Sequence, residues 1–202
     1  METLQALSLA MGSAWGSGIN LYATVAMLGL MGRLGGIELP PDLAILTHSG
    51  IIAVAGFMYV VEFVADKIPG FDSLWDAIHT FIRIPAGAIL AARAIGDLHP
   101  ALEIMAYLAG GGIAALSHTT KAGTRAAINL SPEPVTNIAA SLTEDLLTVG
   151  GIWTAFNYPA LLIGWVGAFL VLAIWLLPRF WRFFLGIFRR VQRLVKGVTS
   201  NE

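Results

Sequence analysis

Long apolar runs separated by short polar breaks dominate the chain, and several runs are longer than a soluble helix needs. From Thr3 to Gly32 there are thirty residues without a formal charge, more than the ~20 required to cross a bilayer as a helix. No Lys or Arg precedes this run and it continues past signal-peptide length, so it reads as an uncleaved first span. Residues 43–61 form a second run, interrupted only by His48. The strongest lies near the end, where no residue from Leu146 to Pro178 is charged and YPALLIGWVGAFLVLAIWLLP supplies a full crossing. Its flanks, Tyr158 and Trp175, are the aromatic type that sits at a membrane interface.

Charge cuts two other stretches short. In LWDAIHTFIRIPAGAILAARAI the uncharged run from Ile84 to Ala92 is nine residues, and in VTNIAASLTEDLLTVGGIWTAF Glu144 and Asp145 fall in the middle. Such short segments are more often re-entrant or buried in protein than independently spanning. A further run, 104–117, passes into S-H-T-T-K-A-G-T-R. The expected fold is therefore an all-α polytopic membrane protein. It has four transmembrane helices plus two broken or re-entrant hairpins, or alternatively six spans, in one domain over residues 1–178 followed by a tail at 179–202.

Composition supports this medium and narrows the class. Hydrophobic residues make up 56% and charged residues 12%, against roughly 25% charged in soluble domains, and mean hydropathy is +0.74. A freely soluble enzyme, a disordered chain and a disulfide-stapled secreted domain are excluded. Cysteine is absent, which removes thiol chemistry and Cys-ligated metals. Six of the twelve basic residues (Arg179, Arg182, Arg189, Arg190, Arg193 and Lys196) sit in the last 24 residues, interleaved with Phe180, Trp181, Phe183, Phe184 and Phe188. By the positive-inside rule this tail places the C-terminus in the cytoplasm, as an amphipathic helix on anionic lipid rather than a nucleic-acid site.

An internal duplication is the most informative pattern. With residues 45–97 laid over 104–157, Glu62 falls on Lys121 and Asp66 on Arg125, and further on Arg83 falls on Glu144. Each half then has a helix end facing a charge of opposite sign in the next hairpin, with the signs exchanged between halves. Inverted repeats of this kind recur in transporters. Glu62 and Asp66, like Lys121 and Arg125, are four apart and project from one helix face. Ionisable groups at membrane depth cost roughly 2.5 to 3.5 kcal/mol each, so they are expected in one internal polar cluster where the halves pack. Charges at solvated helix ends are the plainer alternative.

The segment EFVADKIPGFDSLWD carries four carboxylates and a Pro-Gly break that bends the backbone out of a helix. Asp66, Asp72 and Asp76 are candidate oxygen ligands for a divalent cation, although acidic residues beside such a turn also serve as helix caps. In the first span Gly12 and Gly16 form a small-xxx-small face for close packing. Asn20, polar inside an apolar run, either hydrogen-bonds across helices or lines a pathway. His79 and His118 are candidates for a proton route or for structural hydrogen bonds.

In order along the chain, G-I-N-L-Y, E-F-V-A-D-K-I-P, I-R-I-P-A-G, H-T-T-K-A-G-T-R and a later S-L-T-E-D resemble an uncharacterised family of small bacterial integral membrane proteins, domain-of-unknown-function family 4126. The resemblance covers roughly residues 10–178 and implies no substrate. The expected function is a small secondary transporter or channel-like permease of the bacterial inner membrane, for a small solute or ion. Glu62, Asp66, Arg83, Lys121, Arg125, Glu144 and Asp145, with Asn20, would bind substrate or coupling protons, in a protomer small enough to favour a homodimer. The alternatives are a Mg2+-dependent intramembrane enzyme acting on a lipid phosphate and a non-catalytic assembly factor.

Overall fold

The computed structural model describes residues 3–35, 37–68, 70–96, 99–130 and 134–199, with the side chains of 134, 180, 181 and 183–199 left aside. Among them there are six α-helices and one 3-10 segment, and no strand. The α-helices are α1 (Thr3–Arg33), α2 (Ser49–Ala65), α3 (Phe71–Ile95), α4 (Pro100–Ile128), α5 (Pro134–Asn157) and α6 (Pro159–Thr199), with the 3-10 segment Pro41–Thr47 before α2. Three of them, α3, α4 and the Pro159–Arg179 part of α6, are long and apolar enough to cross a membrane. A fourth span arises if Pro41–Thr47 and α2, bent by 68°, act as one.

The apolar run that reads as a first span is not one straight helix. Asn20 has φ −145 and ψ 97 in the middle of α1, so the i to i−4 ladder stops there. A new helix starts after it, because the Asn20 Oδ1 accepts the Ala23 N–H at 2.9 Å, as an N-cap does. The bend folds the helix back on itself. A Cβ on Gly16 would stand 2.7 Å from the Thr24 Oγ1, whereas residues eight apart in a straight helix are separated by ~12 Å of rise. The start of the first limb and the chain following the second converge too, since Gln5 and residues 37–41 line one cavity together with Gly96 and Asn157. Helix α1 is thus a folded-back helix whose tip, Asn20, lies inside the molecule.

The remaining helices run alternately between two ends of the bundle. The α3–α4 connection and the ends of α5 and α1 share the first end. At the second end the turn after α4 meets the start of α3, where the Asn129 Nδ2 donates to Asp72 at 2.8 Å and to the Ser73 Oγ at 3.0 Å. The turns after α2 and after α4 are therefore on the same end. Two expectations change. The segments 45–97 and 104–157 run in the same direction, not inverted. The stretches expected as broken hairpins are the continuous helices α3 and α5; a buried charge interrupts apolarity but not the backbone ladder once another helix supplies its partner. Folding back occurs instead in α1. The side chains of the tail other than Arg179 and Arg182 lie outside the described residues.

Each inner helix buries a stripe at helical spacing that changes character along its length. In α3 the stripe is Asp72, Asp76, His79 and Arg83, then Gly87, Leu90, Ala91 and Ala94. In α4 it is Ala106, Gly110 and Ala114, then Ser117, His118, Lys121 and Arg125. Small residues toward the first end let helices touch: a Cβ on Gly110 would stand 2.4 Å from the Ala91 Cβ, and one on Gly18 would stand 2.3 Å from the Ala114 carbonyl oxygen. Leu9, Ala14, Leu90, Ala94, Ile152 and Phe156 form the apolar core there. Toward the second end the buried stripes of α3 and α4 are polar.

With no native cysteine, the folded-back α1 is checked by labelling single cysteines with a membrane-impermeant thiol reagent in sealed, oriented vesicles. Leu4→Cys and Leu34→Cys, both at exposed positions, should react from one side, and Ile68→Cys and Leu130→Cys from the other. Opposite-side reaction of the first pair would mean that α1 passes straight through.

Candidate functional site

The polar halves of α2, α3, α4 and α5 meet in a single ion network. Arg83 from α3 donates from Nη2 to the Glu62 Oε1 and from Nη1 to the Asp76 Oδ1, both at 2.8 Å. Arg125 from α4 forms a two-pronged pair with Glu144 of α5, at 3.1 and 2.7 Å, the geometry in which a guanidinium binds a carboxylate best. It also donates to the backbone carbonyl of Asp66 at 3.0 Å. Between these two arginines stands Lys121. Its Nζ lies 2.9 Å from Asp66, 3.4 Å from Glu62, 3.4 Å from Glu144 and 3.6 Å from Asp76. Arg83, Glu62 and Asp72 have no exposed surface and Lys121 is 4% exposed.

The tip of α1 enters this network. The break at Asn20 frees carbonyls that a continuous helix would use, and the Ile19 oxygen accepts a hydrogen bond from Lys121 Nζ at 3.1 Å. The Asn20 Nδ2 donates to Asp145 of α5 at 3.0 Å, and Ser17 donates to the Arg83 carbonyl at 2.9 Å. One asparagine thus caps the returning limb and binds a buried carboxyl group. Arg83 lies about 18 Å along α3, which is about 37 Å long at 1.5 Å per residue. The network therefore reaches from mid-depth to the second end.

The histidines sit at the network's edge. The His118 Nδ1 is 3.3 Å from Arg83 Nη1; a guanidinium only donates, so that nitrogen accepts, and the other ring nitrogen faces the Thr80 hydroxyl at 2.7 Å. The His79 Nδ1 faces the Trp75 carbonyl at 2.8 Å and its Nε2 faces the Tyr22 hydroxyl at 3.1 Å. Trp75 stacks on the His79 ring with centroids 4.2 Å apart. Both rings thus have partners at both nitrogens.

All eight residues expected to gather in one cluster do so. The pairing is the one expected within each half, Arg83 to Glu62 and Glu144 to Arg125, and Arg83 and Glu144 form no ion pair with each other. Lys121 joins the two helix pairs, together with Arg125, which reaches Asp66, and Asn129, which reaches Asp72. Of the candidate metal ligands, Asp66 and Asp76 are held by Lys121 and Arg83. Asp72 accepts from the Gly70 and Ser73 backbone N–H groups and from Asn129. Among the described residues no three His, Asp or Glu side chains converge as a metal site. Asn129, Asn137, Ser141 and Tyr22 also join the network and were not singled out from sequence. The signal was present for two of them: Asn137, Ser141, Asp145 and Thr148 follow helical spacing, the polar counterpart of an apolar stripe.

Six carboxyl groups (Glu62, Asp66, Asp72, Asp76, Glu144 and Asp145) thus share three paired cationic side chains, in a region almost closed to water. Four of the six (Glu62, Asp66, Asp76 and Asp145) also carry one buried oxygen with no hydrogen-bond partner. Such a network resists the loss of any one member, because an uncompensated buried charge costs far more than the pair contributed.

The fold and site define a multi-pass helical membrane protein with a folded-back first helix and a buried ion network. The chain belongs to the family described as Domain of unknown function (DUF4126), whose model matches residues 7–179. No curated protein and no solved structure matches it.

Removing Arg83 leaves Glu62 and Asp76 without their guanidinium, so Arg83→Met should destabilise the protein by roughly 3 to 5 kcal/mol. Arg93 pairs with Asp42 at the surface, at 3.1 Å, and Arg93→Met should leave stability unchanged within error. Denaturant unfolding of the purified protein in detergent checks both.

Proposed function

We propose that this protein is a small secondary transporter or channel-like permease, whose substrate or coupling protons engage the network around Lys121. One observation carries the reading: a discontinuous helix places its tip, with freed backbone groups, directly on a cluster of buried charges. Non-helical backbone at membrane depth is tolerated where it is buried in protein or lines a polar path, and transporters use it to bind ions and solutes. The excess of carboxyl groups over cations favours a cationic or proton-linked solute. The apolar core around Leu9, Leu90 and Ile152 closes the path at the first end, so the described state is occluded there.

The second end carries Lys67, Arg179 and Arg182 and continues into the basic tail, whereas the first carries Arg33 and Arg93 beside Glu38, Asp42 and Glu103. By the positive-inside rule the second end faces the cytoplasm of a bacterial inner membrane, where the basic tail meets anionic lipid. The parallel arrangement of the two helix pairs, each with an Arg–Glu pair of exchanged sign, fits a duplicated unit. A second copy of the chain would shield the exposed apolar faces of α2 and α5.

Flux in proteoliposomes tests the reading. With a pH-sensitive dye inside and a potential imposed across the membrane, vesicles carrying the protein should change internal pH faster than protein-free vesicles. Lys121→Met should abolish the difference and Arg93→Met should preserve it. Equal rates with and without protein, for protons and for added monovalent cations, would refute it.

A further inference from the structure

Five of the six carboxyl groups in the network lie within 4.0 Å of an arginine or lysine: Glu62, Asp66, Asp72, Asp76 and Glu144. Asp145 is the exception among the described residues. It is 8% exposed, its Oδ1 accepts from the Asn20 amide at 3.0 Å, and its Oδ2 is buried without a close hydrogen bond, with the Tyr59 hydroxyl approaching the carboxyl group. The groups that face it are Tyr59 from α2, Asp66 and Lys67 just beyond α2, and Lys121 from α4, together with its own neighbours Ser141 and Glu144. None of the cationic ones reaches ion-pair distance of it.

We propose that Asp145 is the proton-binding carboxyl group of this protein, and that Asn20 transmits its change of charge to the folded-back helix α1. The inference deepens the transport reading and rests on it for its purpose. A metal ion would need several converging oxygens, and the neighbouring carboxylates are already held by Lys121, Arg83 and Arg125. A proton needs one lone pair, and Oδ2 offers it. Ser141 and Lys67 are the side chains between Asp145 and the second end. Lys67 is only partly buried there, its Nζ donates to the Ser141 hydroxyl at 3.2 Å, and Ser141 lies one turn from Asp145 on α5.

The coupling follows from the double duty of Asn20. A hydrogen bond to a carboxylate is roughly twice as strong as one to a neutral acceptor. Uptake of a proton at Asp145 therefore loosens the hold on the Asn20 amide, while the other end of that amide caps the returning limb through the Ala23 N–H. The proton is bound at Oδ2 and released from it, with no other bond made or broken.

Infrared difference spectroscopy on the protein in lipid, titrated between about pH 4 and 9, reads this directly, with protons as the only ligand. A carboxylic C=O band should appear on acidification, be lost in Asp145→Asn and shift in frequency in Asn20→Ala. Should Asp145→Asn not accumulate, Asp145→Glu must move both the band and its midpoint. No titrating band, or one unchanged in these variants, would overturn the assignment. Hydrogen exchange at residues 21–24, corrected for its intrinsic pH dependence, should rise on protonation in the wild type and become independent of pH in Asp145→Asn; the same pH dependence in both would overturn the coupling. Neither readout involves transport. An absent band with intact flux refutes Asp145 alone, and a titrating band without flux supports Asp145 while refuting the transport reading.

Discussion

A single ammonium group ties the structure together. Lys121 reaches four carboxylates from three other helices and the backbone oxygen of Ile19 at the break in α1. Burying a lysine costs several kcal/mol unless its surroundings replace water, and here α2, α3, α5 and α1 each supply part of the replacement. Any of these helices that moved away from α4 would remove part of that compensation. Arg83 and Arg125 repeat the constraint on either side, so the polar half of the bundle is held by charge where the other half is held by close contact of small residues.

This division explains the shape of α1. Gly18 allows its inner limb to lie almost directly on the α4 backbone, Gly16 makes room for the Thr24 side chain of the returning limb, and the apolar core encloses the inner limb. Beyond Ile19 the chain meets the ion network, where a straight helix would drive apolar side chains into carboxylates. Asn20 resolves the conflict. It donates to one oxygen of Asp145, caps a new helix and turns the chain back toward the first end. The break is thus a consequence of packing and of one residue able to donate and accept at once.

Much of this was legible in the sequence, for physical reasons. Long apolar runs report helices at membrane depth, and charges within them report a buried cluster because isolated ones are too costly. The eight expected residues are therefore found together. The positions of the breaks were not legible. Arg83 and Glu144 suggested interrupted spans because hydropathy counts a charge as polar whether or not a distant residue compensates it. Their partners, Glu62 and Arg125, lie about 20 residues away, and the contact is made across helices. The fold-back in α1 left only Asn20 as a mark, since a change in one residue's φ and ψ alters no periodicity. The direction of the repeated segments depends on Asn129 meeting Asp72, a contact that spacing alone does not reveal.

The central claim is that the ion network holds α1 folded back on itself. The distance between spin labels at Leu4→Cys and Leu34→Cys, measured by pulsed electron paramagnetic resonance in lipid, tests it most directly. The account predicts a single population well short of the ~45 Å that a straight helix of this length would span, broadening toward longer distances when Lys121→Met is added. A distribution centred near ~45 Å in the otherwise unaltered protein would contradict it.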